Sequence, residues 1–265
     1  NTTGGFNIGI GHAALNKNTT ASDNIAIGGY AMYENTTGSK NTAVGRSALY
    51  NITTAANNTA VGHGALNANT IGSENTAVGQ DALQNCTNGY RNVIVGHHAG
   101  DLISTGYRNT CLGNIAGHDS LTTGANNTLL GYNSQPSQNT VANEITLGDA
   151  NISSLRCAET SISSLSDRRD KTDIVDLPVG LDFINSLRAV KFKWQTREGT
   201  PSKDGTIRAG FIAQELQEAQ KDHDYLDLVM ENNPDKLEAK QGKLIPVLVQ
   251  AIKELSAKVA ALEAG

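Results

Sequence analysis

The N-terminal part of this 265-residue chain is short of what builds an ordinary globular domain. Residues 1–150 carry only 5 Lys+Arg and 8 Asp+Glu, and the whole chain has one Trp, four Phe, five Pro and two Met. So few charges and large apolar side chains exclude a conventional core wrapped in a charged shell over that stretch. No apolar run approaches the ~20 residues of a membrane helix, which argues against membrane insertion. The pI is near 5.7 with no Lys/Arg cluster, so nucleic acid is not an expected partner. The opening Asn1-Thr-Thr-Gly-Gly5 has neither the charged start nor the apolar segment of a secretion signal. Cys86, Cys111 and Cys157 lack CxxC spacing and read as free thiols of a reducing compartment, not as a disulfide or zinc framework.

Glycine, asparagine and repetition are abundant instead. Residues 1–150 hold 21 of the 27 glycines and 23 asparagines, while residues 151–265 hold 34 charged side chains. The first part aligns on itself as Asn7-Ile-Gly-Ile-Gly11, Asn24-Ile-Ala-Ile-Gly28, Asn41-Thr-Ala-Val-Gly45, Asn58-Thr-Ala-Val-Gly62 and Asn75-Thr-Ala-Val-Gly79. It continues with Asn92-Val-Ile-Val-Gly96, Asn109-Thr-Cys-Leu-Gly113, Asn127-Thr-Leu-Leu-Gly131 and a degenerate Glu144-Ile-Thr-Leu-Gly148. The spacing is 17 residues, with one step of 18 between Asn109 and Asn127. An Ala three residues after the glycine (Ala14, Ala31, Ala48, Ala65, Ala82, Ala99, Ala116) keeps the same phase, as does a Gly or Ala three before the asparagine.

A period this short has no room for a helical hairpin, so each unit reads as one coil of a β-solenoid. At ~4.8 Å between strands, nine coils stack to roughly 40 Å. Alternation along the strand places the residue before the glycine and the one two earlier on a common face, expected to fill the coil interior. The asparagine and the small central residue then face outward, toward the same solenoid in neighbouring chains. The asparagines are expected to stack as an amide ladder from coil to coil. A flat ice-binding face is excluded because Ile8, Ile25, Val93 and Ile145 break the threonine row. His12, His63, His97, His98 and His118 read as solvated turn residues, and neither a metal nor a cofactor is expected. The NTAVGxxAL repeat resembles the heads of trimeric autotransporter adhesins, which are left-handed parallel β-rolls assembled as trimers.

The repeat ends at Gly148, and residues 151–165 read as a polar connector. A short helix over Val179–Leu187, a strand around Val190–Trp194 and a second helix opened by Gly210-Phe-Ile-Ala-Gln-Glu-Leu216 follow. The last segment starts Gly242-Lys-Leu-Ile-Pro246, with proline tolerated in the first helical turn. Its Ile245, Leu248, Ile252, Leu255, Val259 and Leu262 recur at spacings of 3 and 4, a heptad seam over residues 243–263. Ile or Val at a with Leu at d by itself leans toward two parallel strands.

Three motifs in order, Ser166-Asp-x-x-x-Lys171-x-Asp-Ile174, Gly210-Phe-Ile-Ala-Gln-Glu215 and Gly242-Lys-Leu-Ile-Pro246 with Ala251-Ile-Lys-Glu-Leu255, resemble the C-terminal intramolecular chaperones of phage tail spikes and fibres, the endosialidase-type autoproteases. The resemblance implies a homotrimer that guides folding of the preceding β-structure and then cuts itself off, a single-turnover serine endopeptidase. It implies Ser166 as nucleophile, Lys171 as its base and the Leu165–Ser166 bond as the cleavage site; Asp170 stands where the family carries an apolar residue. A lysine serves as base only when neutral, which requires lowering its pKa from ~10.4 toward 7, about 4 kcal/mol, and burial on trimer assembly supplies such a shift.

The fold class expected is therefore a mostly β, trimeric β-solenoid of 17-residue coils (1–150), a connector (151–165) and a small α+β chaperone domain (166–265) ending in a coiled-coil helix. The function expected is the C-terminal part of a phage tail fibre or spike, assembled in the bacterial cytoplasm, located in the virion tail and attaching to a host receptor, glycan or protein. The alternative is a non-proteolytic trimeric adhesin tip whose C-terminal module only trimerises. A membrane-tethered regulator released by the same kind of domain lacks both a membrane span and a basic surface here.

Overall fold

A computed structural model of the chain describes residues 1–152, 154–156, 166–195, 205–235 and 237–265. It contains two compact units, Asn1–Ile152 and Ser153–Gly265.

The first unit is a parallel β-solenoid. Nine three-residue strands, β1 (Ile8–Ile10), β2 (Ile25–Ile27), β3 (Thr42–Val44), β4 (Thr59–Val61), β5 (Thr76–Val78), β6 (Val93–Val95), β7 (Thr110–Leu112), β8 (Thr128–Leu130) and β9 (Ile145–Leu147), form one sheet in sequence order. Pairing is in register throughout: Thr42 lies beside Thr59 and Thr59 beside Thr76, and the 18-residue step between Thr110 and Thr128 does not shift it. The strands are shorter than the five-residue motif, yet coil-to-coil hydrogen bonding continues through the turns. Met32, Glu34 and Thr36 donate their backbone N–H to Ala48, Tyr50 and Thr53 of the next coil. Each polypeptide turn thus satisfies its polar groups on its neighbours, and charged side chains are not needed for that purpose.

The structure reverses the expected assignment of strand faces. Ala26, Ala43, Ala60, Ala77, Ile94, Cys111 and Leu129, at the strand centres, are fully buried, and so are Asn24, Asn41, Asn75, Asn92, Asn109 and Asn127. The flanking Thr, Ile, Val and Leu residues point outward, with Ile10 58% and Leu147 50% exposed. Space decides the matter. The narrow interior is already occupied from the turns by Met32, Leu49, Leu66 and Leu83, together with Ala31, Ala48, Ala65 and Ala82. Beside them a strand can contribute only a methyl group and a hydrogen-bonded amide.

The amide ladder forms as expected. Asn58 Nδ2 donates to Asn41 Oδ1 at 3.1 Å and to the carbonyl of Gly72 at 2.9 Å. Its Oδ1 in turn accepts from both the backbone N–H and Nδ2 of Asn75. A buried amide satisfied on both edges is stabilising, whereas an unsatisfied one costs about 1–3 kcal/mol.

Interior volume is conserved by exchange between two columns. Where the turn residue changes from Leu83 to Gly100 and Gly117, the strand centre changes from Ala77 to Ile94 and Cys111. A Cβ added at Gly100 would lie 3.3 Å from Ile94 Cδ1, and one at Gly117 would lie 3.1 Å from Cys111 Sγ. The motif glycines are required by a different crowding. Gly62 has φ +136°, and a Cβ there would sit 2.3 Å from the carbonyl oxygen of Gly79.

The second unit is small and mixed. It comprises α1 (Leu181–Ser186), an antiparallel pair β10 (Val190–Phe192) and β11 (Arg208–Gly210), α2 (Ala213–Gln220), a second pair β12 (Val229–Met230) and β13 (Glu238–Ala239), and α3 (Ile245–Glu263). Val179, Phe183, Leu216, Leu226, Leu228, Val229, Leu244 and Val247 form its core. Pro246 lies in the first turn of α3, where its missing N–H is harmless. Glu254 Oε2 accepts the N–H of Leu181 at 2.8 Å, so α3 caps the N-terminus of α1. Val247 and Ala251 turn inward, whereas the heptad residues Ile245, Leu248, Ile252, Leu255, Val259 and Leu262 are all exposed.

Candidate functional site

The segment beginning at Ser166 folds into one tight turn. Asp167 caps a 3-10 turn over Arg168–Asp170: its carboxylate accepts the Arg169 N–H at 2.9 Å and pairs with the Arg169 guanidinium. That hydrogen bond to arginine holds the Asp167 carboxyl below the usual carboxylate range. The Lys171 N–H then donates to the carbonyl of Arg168, closing the turn. Closure brings the side chains at its two ends together, and Lys171 Nζ donates to Ser166 Oγ at 2.6 Å.

The expected nucleophile and base are thus within hydrogen-bonding distance, with nothing between them. Both are exposed, as are residues 167–170 and 172–176. In this geometry the lysine is the donor, the reverse of what proton abstraction from serine requires. Asp170 ends the turn with its side chain exposed, so the polar residue at this place has no burial cost in the single chain. Leu165, on the other side of the expected scissile bond, lies outside the described residues, as do Cys157 and most of the connector.

Residues 166–225 match the family described as chaperone of endosialidase. The match begins at Ser166 and takes in the Ser166–Lys171 turn, α1, β10, β11 and α2. The matched segment stops short of α3, so the heptad helix lies beyond the matched residues. No curated protein and no solved structure matches the chain. Among the described residues no helix is long and apolar enough to cross a membrane.

One cluster escaped the reading of the sequence. His98 and His118, both expected as solvated turn residues, instead gather around Asp101. The signal was present in the numbering. Asp101 and His118 are one period of 17 apart, and so are Asp81 and His98, which stacks each pair on adjacent coils. Stacking of coils, not adjacency in the sequence, sets proximity in a solenoid.

Proposed function

We propose that the chain is the C-terminal part of a phage tail fibre or spike in which the chaperone-of-endosialidase module trimerises, guides folding of the solenoid and then cleaves itself off between Leu165 and Ser166. The observation that carries this reading is the 2.6 Å contact between Lys171 Nζ and Ser166 Oγ at the first residue of the matched family segment. Ser166 is the nucleophile and Lys171 its base. Burial on trimer assembly removes the ammonium from water, drives off its proton and reverses the hydrogen bond, so cleavage follows folding and does not precede it.

Two exposed apolar surfaces support assembly. One is the seam of α3. The other is the outward face of the strands, with Ile8, Ile10, Ile27, Val93, Val95 and Leu112 among its exposed residues. Contiguous apolar surface of this kind marks a protein interface, so the inter-chain contact moves from the alanine face to the Thr/Val face. A homotrimer buries both. Identical coils can pair one period out of step at little cost, and a C-terminal trimer that fixes the register removes that error. Once the helper is cut away the fibre cannot retrace its folding path, and its stability becomes kinetic. The released solenoid serves host attachment within the virion tail.

The test is N-terminal sequencing of the smaller fragment after expression and folding. The expected fragments are about 17 kDa and about 11 kDa, scaled from 27.9 kDa for 265 residues, with the smaller one starting Ser-Asp-Arg-Arg. Ser166→Ala and Lys171→Ala should each leave the chain intact. A folded trimer of wild-type chain that stays uncut would replace this reading with the non-proteolytic adhesin tip.

A further inference from the structure

Three side chains on adjacent coils converge where the turns following β6 and β7 stack. His98 and Asp101 belong to the first turn and His118 to the second, directly beside Asp101 in the repeat. His118 Nδ1 lies 2.5 Å from Asp101 Oδ1, and His98 Nδ1 lies 3.4 Å from Asp101 Oδ2. All three residues offer a ligand atom within 4.8 Å of the other two. The Asp101 carboxylate is 8% exposed, and these two imidazoles are the basic groups against it among the described residues. His98 Nδ1 is buried and has no hydrogen-bond partner, although it faces a carboxylate oxygen.

The outer ring nitrogens sharpen the picture. His98 Nε2 is 3.9 Å from Asp81 Oδ2, and His118 Nε2 is 3.5 Å from Asp119 Oδ1. Each imidazole therefore has one nitrogen toward Asp101 and the other toward a second carboxylate. A carboxylate beyond the outer N–H is the arrangement that fixes the tautomer of a metal-bound histidine and leaves its inner nitrogen as a lone-pair donor. At 2.5 Å the His118 Nδ1 to Asp101 Oδ1 contact is a hydrogen bond that carries a proton, and a divalent cation that displaces this proton finds both inner nitrogens and the carboxylate free to ligate it. The backbone supports this aim: His98 has φ +52°, the left-handed conformation shared by Ser47, Asp81 and Ile115 at the same place in other coils. The fold imposes it on this position whatever the side chain.

We propose that His98, Asp101 and His118 form a binding site for a divalent transition cation of the zinc, cobalt or nickel type, which clips two coils of the solenoid together. Two imidazoles and a carboxylate are borderline ligands that suit these ions and not calcium or magnesium. Ligands about 2.0–2.1 Å from a tetrahedral zinc lie roughly 3.3 Å from one another, so the present separations need only side-chain adjustment. The fourth position falls to water.

The experiment uses untagged full-length chain stripped with EDTA and titrated with Co²⁺ and Zn²⁺, with calorimetry and visible absorption as readouts. One ion per chain, tetrahedral cobalt bands and a rise in the unfolding temperature on adding Zn²⁺ are expected. His118→Ala and Asp101→Asn should abolish all three, and Asp81→Asn should weaken binding about 10- to 100-fold. His12→Ala, remote from the triad and from Asp81, should bind as the parent does. Circular dichroism that matches the parent at low temperature establishes that each variant is folded. Absence of binding by the folded parent, or binding that survives both His118→Ala and His98→Ala, overturns the site. Cleavage at Ser166 is scored separately, and its failure leaves this result unaffected.

Discussion

The exchange of volume between strand centre and turn can be reversed by design. Ile94→Ala alone removes a fully buried side chain next to Gly100, which has nothing to fill the gap, and large-to-small changes of this kind cost about 2–5 kcal/mol. Gly100→Leu alone places a Cβ 2.9 Å from Ile103 Cδ1 and 3.3 Å from Ile94 Cδ1, overpacking that costs about 1–3 kcal/mol. Backbone strain is not the obstacle. Gly100 has φ +53°, and Leu49, Leu66 and Leu83 adopt +51°, +51° and +54° at the same position. Together the two changes restore the Ala-and-Leu pairing of the preceding coils. The double variant should therefore be more stable than the sum of the singles, with a coupling of about 1–3 kcal/mol. Guanidinium unfolding at fixed chain concentration measures this, followed by far-UV circular dichroism because the single tryptophan, Trp194, lies in the other unit. Additivity of the two changes within about 0.5 kcal/mol would refute the volume argument.

Other perturbations test the remaining devices. Gly62→Ala drives a methyl into the Gly79 carbonyl and should prevent recovery of folded solenoid at 37 °C, whereas Gly5→Ala, with open space around it, should fold normally; soluble yield and circular dichroism compare them. Asn58→Ala leaves the Asn75 N–H without its acceptor, whereas the Gly72 carbonyl keeps the Asn69 amide, and should cost about 1–3 kcal/mol in the same denaturation assay. Burial pushes the Cys86 and Cys111 thiols up to about 12, so in a Cys157→Ser background neither should react with a thiol reagent at pH 8 until the solenoid unfolds. An unfolded chain releases those protons near the ordinary value of 9.0 and the folded one holds them to about 12. Stability should therefore fall as pH rises through that window, and Cys86→Ala should flatten the decline. The Leu181 N–H holds the Glu254 carboxyl below its usual range, and that contribution fades as pH falls through the lowered value. Glu254→Gln should flatten the acid side of the second unit's stability profile, read by Trp194 fluorescence.

Repetition made much of this chain legible in advance. Asn-Thr-Ala-Val-Gly at 17-residue spacing located nearly every strand and the in-register pairing, because a stacked coil must present the same residue to its neighbour. The heptad spacing located α3, and Pro246 marked its start. Ser166 and Lys171 were singled out by motif alone, and the Asp167-capped turn supplies the physical reason that five residues bring them within 2.6 Å.

The orientation of the strand was not legible in that way. A three-residue Thr-Ala-Val strand has methyl groups on both faces, so alternation names two candidates and does not choose between them. The choice depends on how much room a closed coil leaves inside once Leu49, Leu66 and Leu83 have entered from the turns, which is a property of the tertiary structure. The pairing of Ile94 with Gly100 and the convergence of His98, Asp101 and His118 have the same origin. Period and register are local facts that each coil states for itself, whereas interior volume and side-chain convergence exist only after one coil has closed upon the next.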